Sequence, residues 1–268
     1  MTESSLADYA FFLWIITAGV ALLTAHVALG WLARARRRPE LGLSWPAQML
    51  SATTLGSGVC ATAVLGLSAE VSKVPLGYGS VAASVLWLGA TIVCLPLVAL
   101  LTFSARWWAL LLGALLLAGL GSGVQMGWVW AAGFRPGVIW NWPVVAAAAT
   151  VMGTACLAAL WMASPSRGTA DHTSARLMRL GSTVLIGLSL LVGQQIVLAG
   201  ADLAGQKGSV YRNQVPNSVL SLACGALVPL TLAIMALDLS LRHRQRRSTQ
   251  SGFTPKKRLK RRRRVRPL

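Results

Sequence analysis

Long uncharged segments set the fold class of this chain. Segments of 20 or more residues contain no Lys, Arg, Asp or Glu, and 55% of the 268 residues are hydrophobic. In a bilayer only helices and closed barrels satisfy every backbone hydrogen bond, and a barrel strand needs only about 10 residues. These segments are much longer and do not alternate, so they predict an all-α polytopic membrane protein. The seven predicted transmembrane helices span residues 9–33, 47–69, 81–103, 107–134, 143–163, 178–204 and 217–241.

A repeat of about 65 residues runs through these segments. Gly-Ser-Gly-Val at residues 56–59 returns at residues 121–124, and a looser Gly-Leu-Ser-Leu follows at residues 187–190. Residues 24–33 match residues 154–163, two periods later, and share Thr, Ala, Ala, Trp and Ala at equivalent positions. Two registers with one period indicate a repeated structural unit. The repeat therefore predicts three two-helix units followed by one more helix.

The basic residues predict how the helices are oriented. Connections on one side contain eight Lys and Arg, and the segment from Arg242 onward adds thirteen, against four on the other side. Because cytoplasmic loops are enriched in basic residues, we predict a cytoplasmic C-terminus and an N-terminus outside. The predicted organisation is an extracytoplasmic leader at residues 1–8, a membrane domain at 9–241 and a disordered basic tail at 242–268. A cleaved signal peptide is not expected, since the leader lacks a basic region.

The tail predicts contact with anionic lipid. A block of like charge beside a membrane is attracted to the lipid surface, each charge contributing about 1 kcal/mol. Contact with a protein is the alternative, and nucleic acid is not expected because no aromatic residues are interleaved for base stacking. The lipid-contacting residues are predicted to be Lys256, Lys257, Arg258, Lys260, Arg261, Arg262, Arg263 and Arg264.

At the repeat registers the chain resembles the bacterial MHYT family of integral membrane sensors. The resemblance covers residues 9–241 in topology and period, and includes the glycine-rich segment at residues 116–124. It implies a bacterial plasma-membrane protein with repeated helix pairs and Arg-rich cytoplasmic loops. In that family each lead-in ends in Met-His-Tyr-Thr-Gly-Met, which aligns here with residues 62–67, 127–132 and 193–198.

The signature itself is missing from all three copies. The histidine positions hold Ala63, Trp128 and Gln194. The first methionine positions hold Thr62, Gly127 and Gly193, and the only match is Gly66. The resemblance implies a metal, expected to be copper, that senses oxygen, carbon monoxide or nitric oxide. Such a site needs imidazole and thioether ligands, so we do not transfer metal binding to this chain and predict no cofactor.

A histidine and two cysteines within the predicted helices allow two interpretations. His26 aligns with Cys156 and approximately with Cys94, and imidazole with thiolates suits a transition metal. The alternative is a packed histidine with free thiols that act as small hydrophobic side chains.

Polar side chains suggest a second kind of site. Gln125, Gln194 and Gln195 lie within predicted helices, where polar groups usually face the bundle interior or a cavity. One interpretation is hydrogen bonding between helices with an interfacial belt of Trp128, Trp130, Trp140 and Trp142. The other is an outward-facing ligand pocket in place of the metal motif, formed by Gln125, Trp128, Gln194 and Gln195.

No catalytic motif, zinc motif or phosphate loop is found, so the chain is not predicted to be an enzyme. We predict a sensor-like module without an output domain, which acts as a membrane binding or interaction component in signalling. Its partners are expected to be the bilayer and a membrane or cytoplasmic protein. The alternatives are a small-solute transporter or channel, and a structural accessory subunit of a membrane complex.

Overall fold

The computed structural model describes residues 3–36, 44–70, 76–135, 137–164, 172–203, 208–211 and 213–251. Its first six helices are α1 (Glu3–Ala35), α2 (Ser44–Glu70), α3 (Ser80–Phe103), α4 (Trp107–Ala131), α5 (Trp142–Met162) and α6 (His172–Ala199). The last span consists of α7 (Asn217–Leu222), a short π-helix (Ala223–Leu227) and α8 (Val228–Ser251). Within the described residues, seven segments are long and apolar enough to cross a membrane. The predicted all-α polytopic fold is therefore confirmed.

The first six helices form a closed ring. Each packs against the next, and α1 closes the ring by packing against α6. The even-numbered helices α2, α4 and α6 also contact one another, whereas α7 and α8 lie outside the ring against α1 and α2. Three successive helix pairs thus have equivalent places in the ring.

Burial explains why the spans differ in hydropathy. The α2 span is 83% buried and has the lowest mean hydropathy of the seven, 1.5, whereas α3 is 28% buried and has the highest, 2.3. A surface that faces lipid must be apolar, but a helix enclosed by others can contain Gly, Ser and Thr. The composition of α2 therefore reflects its central place in the fold.

Side chains of odd-numbered helices pack on glycines of even-numbered ones. Leu22 of α1 packs on Gly187 of α6, so close that an added Cβ would lie 2.8 Å from Leu22 Cδ2. Met152 of α5 packs equivalently on Gly121 of α4, with its Sδ 3.0 Å from such a Cβ. Met152 follows Leu22 by two periods, so these contacts share one position in the repeat. Small residues permit this close approach of the helices.

The connections at one end of the ring are paired by short strands. β1 (Gly77–Tyr78) follows α2 and is antiparallel to β4 (Val215–Pro216), which precedes α7. β2 (Ile139–Trp140) precedes α5 and is antiparallel to β3 (Ala201–Asp202), which follows α6. The hydroxyl of Ser209 lies within hydrogen-bond distance of carbonyl oxygens before α3 and after α4. We call this end the capped end.

The opposite end, which we call the basic end, has nine arginines in the described residues: Arg34, Arg36, Arg106, Arg176, Arg179 and, at the end of α8, Arg242, Arg244, Arg246 and Arg247. Arg36 connects the ends of three helices. Its Nε donates to the carbonyl oxygen of Leu101 in α3 at 2.7 Å, and its Nη1 donates to that of Ala163 after α5 at 3.3 Å. The last carbonyls of a helix have no partner within the helix, so Arg36 caps two of them.

Several helix bounds differ from the predicted ones. Helix α1 begins at Glu3, within the predicted leader, and α6 starts and ends several residues earlier than predicted. Helix α4 ends at Ala131 instead of residue 134, because Gly133 has a φ of 57° and turns the chain out of the helix.

The tail also differs in part from the prediction. Residues 242–251 are helical, since α8 continues to Ser251 through a run rich in Arg and Gln, which are good helix formers. The predicted lipid-contacting residues from Lys256 to Arg264 lie outside the described residues.

Candidate functional site

A buried set of polar side chains lies inside the ring, and we call it the polar layer: Ser122, Gln125, Trp128 and Gln194. Its α4 members are three residues apart, a spacing that places them along one side of the helix. Met152 shows that α4 and α6 meet at this level, because its side chain packs against both Gly121 and Gly193. The polar layer therefore lies within the apolar core of the bundle.

Gln125 is the most unusual member of the polar layer. Its side chain is 0% exposed, and neither its Oε1 nor its Nε2 has a hydrogen-bond partner in the described chain. A carboxamide can donate two hydrogen bonds and accept two. An unmatched buried polar group costs about 1–3 kcal/mol, and most buried polar groups in native proteins have a partner.

Gln194 is partnered on one side only. Its Nε2 donates to the carbonyl oxygen of Val59 in α2 at 3.2 Å, while its Oε1 is buried and accepts nothing. The Ser122 hydroxyl is also buried without a partner. By contrast, Thr62 of α2 donates to backbone carbonyls of its own helix at 3.0 Å. The unmet hydrogen-bonding capacity is therefore concentrated on α4 and α6.

Trp128 forms the side of the polar layer nearest the capped end. It is 0% exposed, and its ring meets Tyr78 and Trp87 edge-on, with centroids 5.4 and 6.4 Å apart. The indole N–H points towards the Cys60 thiol but makes no hydrogen bond of good geometry. A buried indole usually has a partner for this N–H. Trp128 therefore adds an unpaired donor to the layer.

Tyr78 closes the bundle above Trp128. Its hydroxyl donates to Oδ1 of Asn217 at 3.3 Å, and the hydroxyls of Ser68 and Ser221 lie 2.7 and 3.2 Å from the same oxygen. Tyr78 is 0% exposed, and burial raises its pKa well above the ordinary value. The phenol therefore stays neutral, and β1 joins α2 and α7 over the polar layer.

On the other side, towards the basic end, the bundle is apolar. A cavity of about 30 Å³ is lined by residues of all six ring helices, with Ala25, Leu55, Leu97, Leu117 and Leu160 among its walls. This volume is comparable with the space that one water molecule occupies. The polar layer is thus bounded by aromatic rings on one side and by aliphatic side chains on the other.

Three of the four residues of the predicted outward-facing pocket come together in the structure, and the pocket itself stays a prediction. Gln125, Trp128 and Gln194 do lie in one layer, but it is enclosed, because the paired connections cover it. Gln195 lies apart from the layer: it is half-buried, and its Nε2 would be 2.5 Å from a Cβ on Gly66 of α2. Trp130 is 75% exposed near the capped end, as an interfacial belt requires, whereas Trp128 is not part of such a belt.

The residues of the substitute metal site lie on different surfaces. His26 is on the exposed side of α1 near Arg179, and Cys156 Sγ lies 3.3 Å from Ser189 Oγ between α5 and α6. Cys94 is buried in α3. Among the residues that the structure describes, no group of three or more His, Cys, Asp and Glu could hold a metal.

The chemistry of the polar layer is neutral. The Trp128 N–H and the Gln125 amide can donate, the oxygens of Gln125 and Gln194 can accept, and the Ser122 hydroxyl can do either. None of these groups is charged or a strong nucleophile. The layer therefore offers unpaired hydrogen-bond donors and acceptors, and it has no groups for acid–base or covalent catalysis.

Sequence reasoning missed two parts of this arrangement. The three-residue spacing from Gln125 and Trp128 back to Ser122 could have added that residue to the layer. No local signal could have placed Tyr78 over it, because β1 is held by β4, which is more than a hundred residues further along the chain.

Comparisons with protein-family models, with curated proteins and with solved structures gave no match for this chain. The resemblance to MHYT sensors therefore remains a prediction from the sequence registers.

Proposed function

We propose that the chain is a membrane-embedded binding module that holds a small neutral molecule in the polar layer and signals through a protein partner. The observation that carries this proposal is Gln125, a fully buried amide with no partner for either of its polar atoms. A ligand that donates and accepts hydrogen bonds would satisfy it together with Ser122, Trp128 and Gln194. The binding energy would come mainly from pairing groups that are already desolvated.

The cellular setting is part of the same proposal. The resemblance to MHYT sensors supports a bacterial plasma-membrane protein whose metal site has been lost and whose scaffold has been kept. The charge distribution supports an N-terminus outside and a tail in the cytoplasm. In this proposal, a signal would pass to a separate protein at the basic end.

The decisive test is whether Gln125→Met raises or lowers stability, relative to the wild type, in native membranes and in ligand-free detergent. This substitution keeps the length of the side chain but removes its hydrogen-bonding groups. If a ligand fills the layer, the variant should be less stable than the wild type in native membranes. After exhaustive exchange into ligand-free detergent, the variant should be the more stable protein by about 1–3 kcal/mol, because an unmatched amide has been removed. Thermal unfolding in both preparations measures this reversal.

Gln195→Met is the matched control, because Gln195 is only half-buried and lies outside the layer. It should shift stability in the same direction in both preparations. If Gln125→Met destabilises the protein in both, water alone satisfies the amide and the proposal is wrong. If Gln125→Met stabilises it in both, the layer is unoccupied and the proposal is equally wrong.

Transport is the competing function. The aromatic closure at Tyr78 and Trp128 and the capping of Arg36 at the other end argue for a closed bundle. Co-purification in mild detergent should yield a stoichiometric protein partner, whereas solute flux through liposomes containing the purified chain would favour a transporter.

A further inference from the structure

A groove between α4 and α5 opens on the outside of the ring near the basic end. It has a volume of about 480 Å³, and its walls include Trp107, Leu111, Thr154, Leu157, Ala158 and Trp161. The Thr154 hydroxyl donates to carbonyls of its own helix at 3.0 Å, so it offers the groove no free donor. The groove is therefore an apolar surface.

The position of the groove limits what can fill it. All its walls belong to segments that are long and apolar enough to cross a membrane. Trp107 and Trp161 are 76% and 53% exposed and stand at the ends of their spans, where tryptophan marks the boundary between hydrocarbon and headgroups. The groove thus runs from the headgroup boundary into the hydrocarbon, as a lipid acyl chain does.

Arg106 supplies a charge at the mouth of this groove. It directly precedes Trp107, its side chain is exposed, and no acidic residue of the described chain pairs with it. A guanidinium binds phosphate oxygens in a bidentate manner, and its positive charge favours a headgroup whose net charge is negative. We propose that the groove binds the acyl chain of an anionic phospholipid and that Arg106 binds its headgroup.

The experiment compares lipids retained by the full-length chain. Wild type and variants are reconstituted in nanodiscs of equal parts phosphatidylglycerol and phosphatidylcholine, released into mild detergent and weighed by native mass spectrometry. Arg106→Gln should lower the ratio of retained phosphatidylglycerol to phosphatidylcholine about fivefold, corresponding to the ~1 kcal/mol of one basic residue at an anionic surface. Ala158→Leu, which fills the groove, should lower retention of both lipids.

Matched controls separate this site from the general charge of the protein. Arg135→Gln removes an exposed arginine near the capped end, and Ala147→Leu enlarges an exposed residue on the same side of α5, nearer its start. Both should retain lipid as the wild type does. The proposal is overturned if Arg106→Gln leaves the lipid ratio unchanged, or if Ala158→Leu retains both lipids normally. If the wild type is a dimer and Ala158→Leu dissociates it, a second copy of the chain fills the groove. The lipid proposal is then overturned too.

Discussion

Arg36 illustrates how much of this fold depends on single side chains at helix ends. It lies one residue beyond α1, yet it bonds to carbonyl oxygens of two other helix ends. Burial lowers the pKa of its guanidinium from the ordinary value, which reflects the desolvation of the charged group. Two charge-assisted hydrogen bonds to helix C-termini, where the backbone dipole is negative, offset that cost.

Substitution of Arg36 should therefore destabilise the whole bundle. We expect Arg36→Leu to cost about 3 kcal/mol, because two carbonyls lose a charged donor. Arg36→Lys should cost about half as much, since an ammonium is a point charge and cannot span both carbonyls with a planar fork. Thermal unfolding in one detergent should give the highest midpoint for the wild type, a lower one for Arg36→Lys and the lowest for Arg36→Leu. The exposed Arg135→Leu is the control, and equal midpoints for all three Arg36 proteins would contradict the capping role.

At the scale of helices, the sequence was informative where one local property decided the outcome. Uncharged apolar length located all seven spans, and the repeat predicted the three two-helix units in which Leu22 and Met152 hold equivalent positions. The predicted helix ends are less accurate than the predicted spans. Glycine conformation and helix propensity, not apolar length, decide where a helix ends. Enclosure of Gln125 and Trp128 could not be predicted, since it depends on pairing between distant connections. In the sequence the arginines indicate only topology, and the capping by Arg36 becomes visible in the contacts of its side chain with two other helix ends.

The packing of α5 against α6 gives a prediction at this scale. Gly193 of α6 has no room for a Cβ, because the Met152 side chain occupies that position. Gly193→Ala should therefore destabilise the bundle by about 1–3 kcal/mol through overpacking. The double variant with Met152→Ala should lose less stability than the two single variants together, because the smaller side chain removes the clash.

Gly123 provides the control for that prediction. It is an exposed glycine of α4 with no atom within 4 Å of an added Cβ. Gly123→Ala should be neutral or stabilise the helix by up to ~1 kcal/mol, because alanine has the higher helix propensity. Thermal unfolding of all four variants tests the cycle. Equal effects of alanine at Gly193 and Gly123 would show that helix propensity, not packing against Met152, controls both positions.

The two ends of the molecule differ in charge. Nine described arginines lie at the basic end, whereas Arg135 lies near the capped end. The capped end also contains the pairings that close the bundle over the polar layer. In the proposed orientation, the covered side of the ligand site faces outward and the arginines face the cytoplasm.

Cysteine labelling in intact cells tests this orientation. The four native cysteines are buried, at most 1% exposed, so an introduced cysteine can be labelled selectively. Val210 is 50% exposed near the capped end, and Ala105 is exposed at the basic end. A membrane-impermeant maleimide should label Val210→Cys in intact cells and Ala105→Cys only after permeabilisation. The reverse pattern would contradict the orientation. Removing residues 242–268 should not change the pattern, because eight basic residues against four still remain to hold the membrane domain in place.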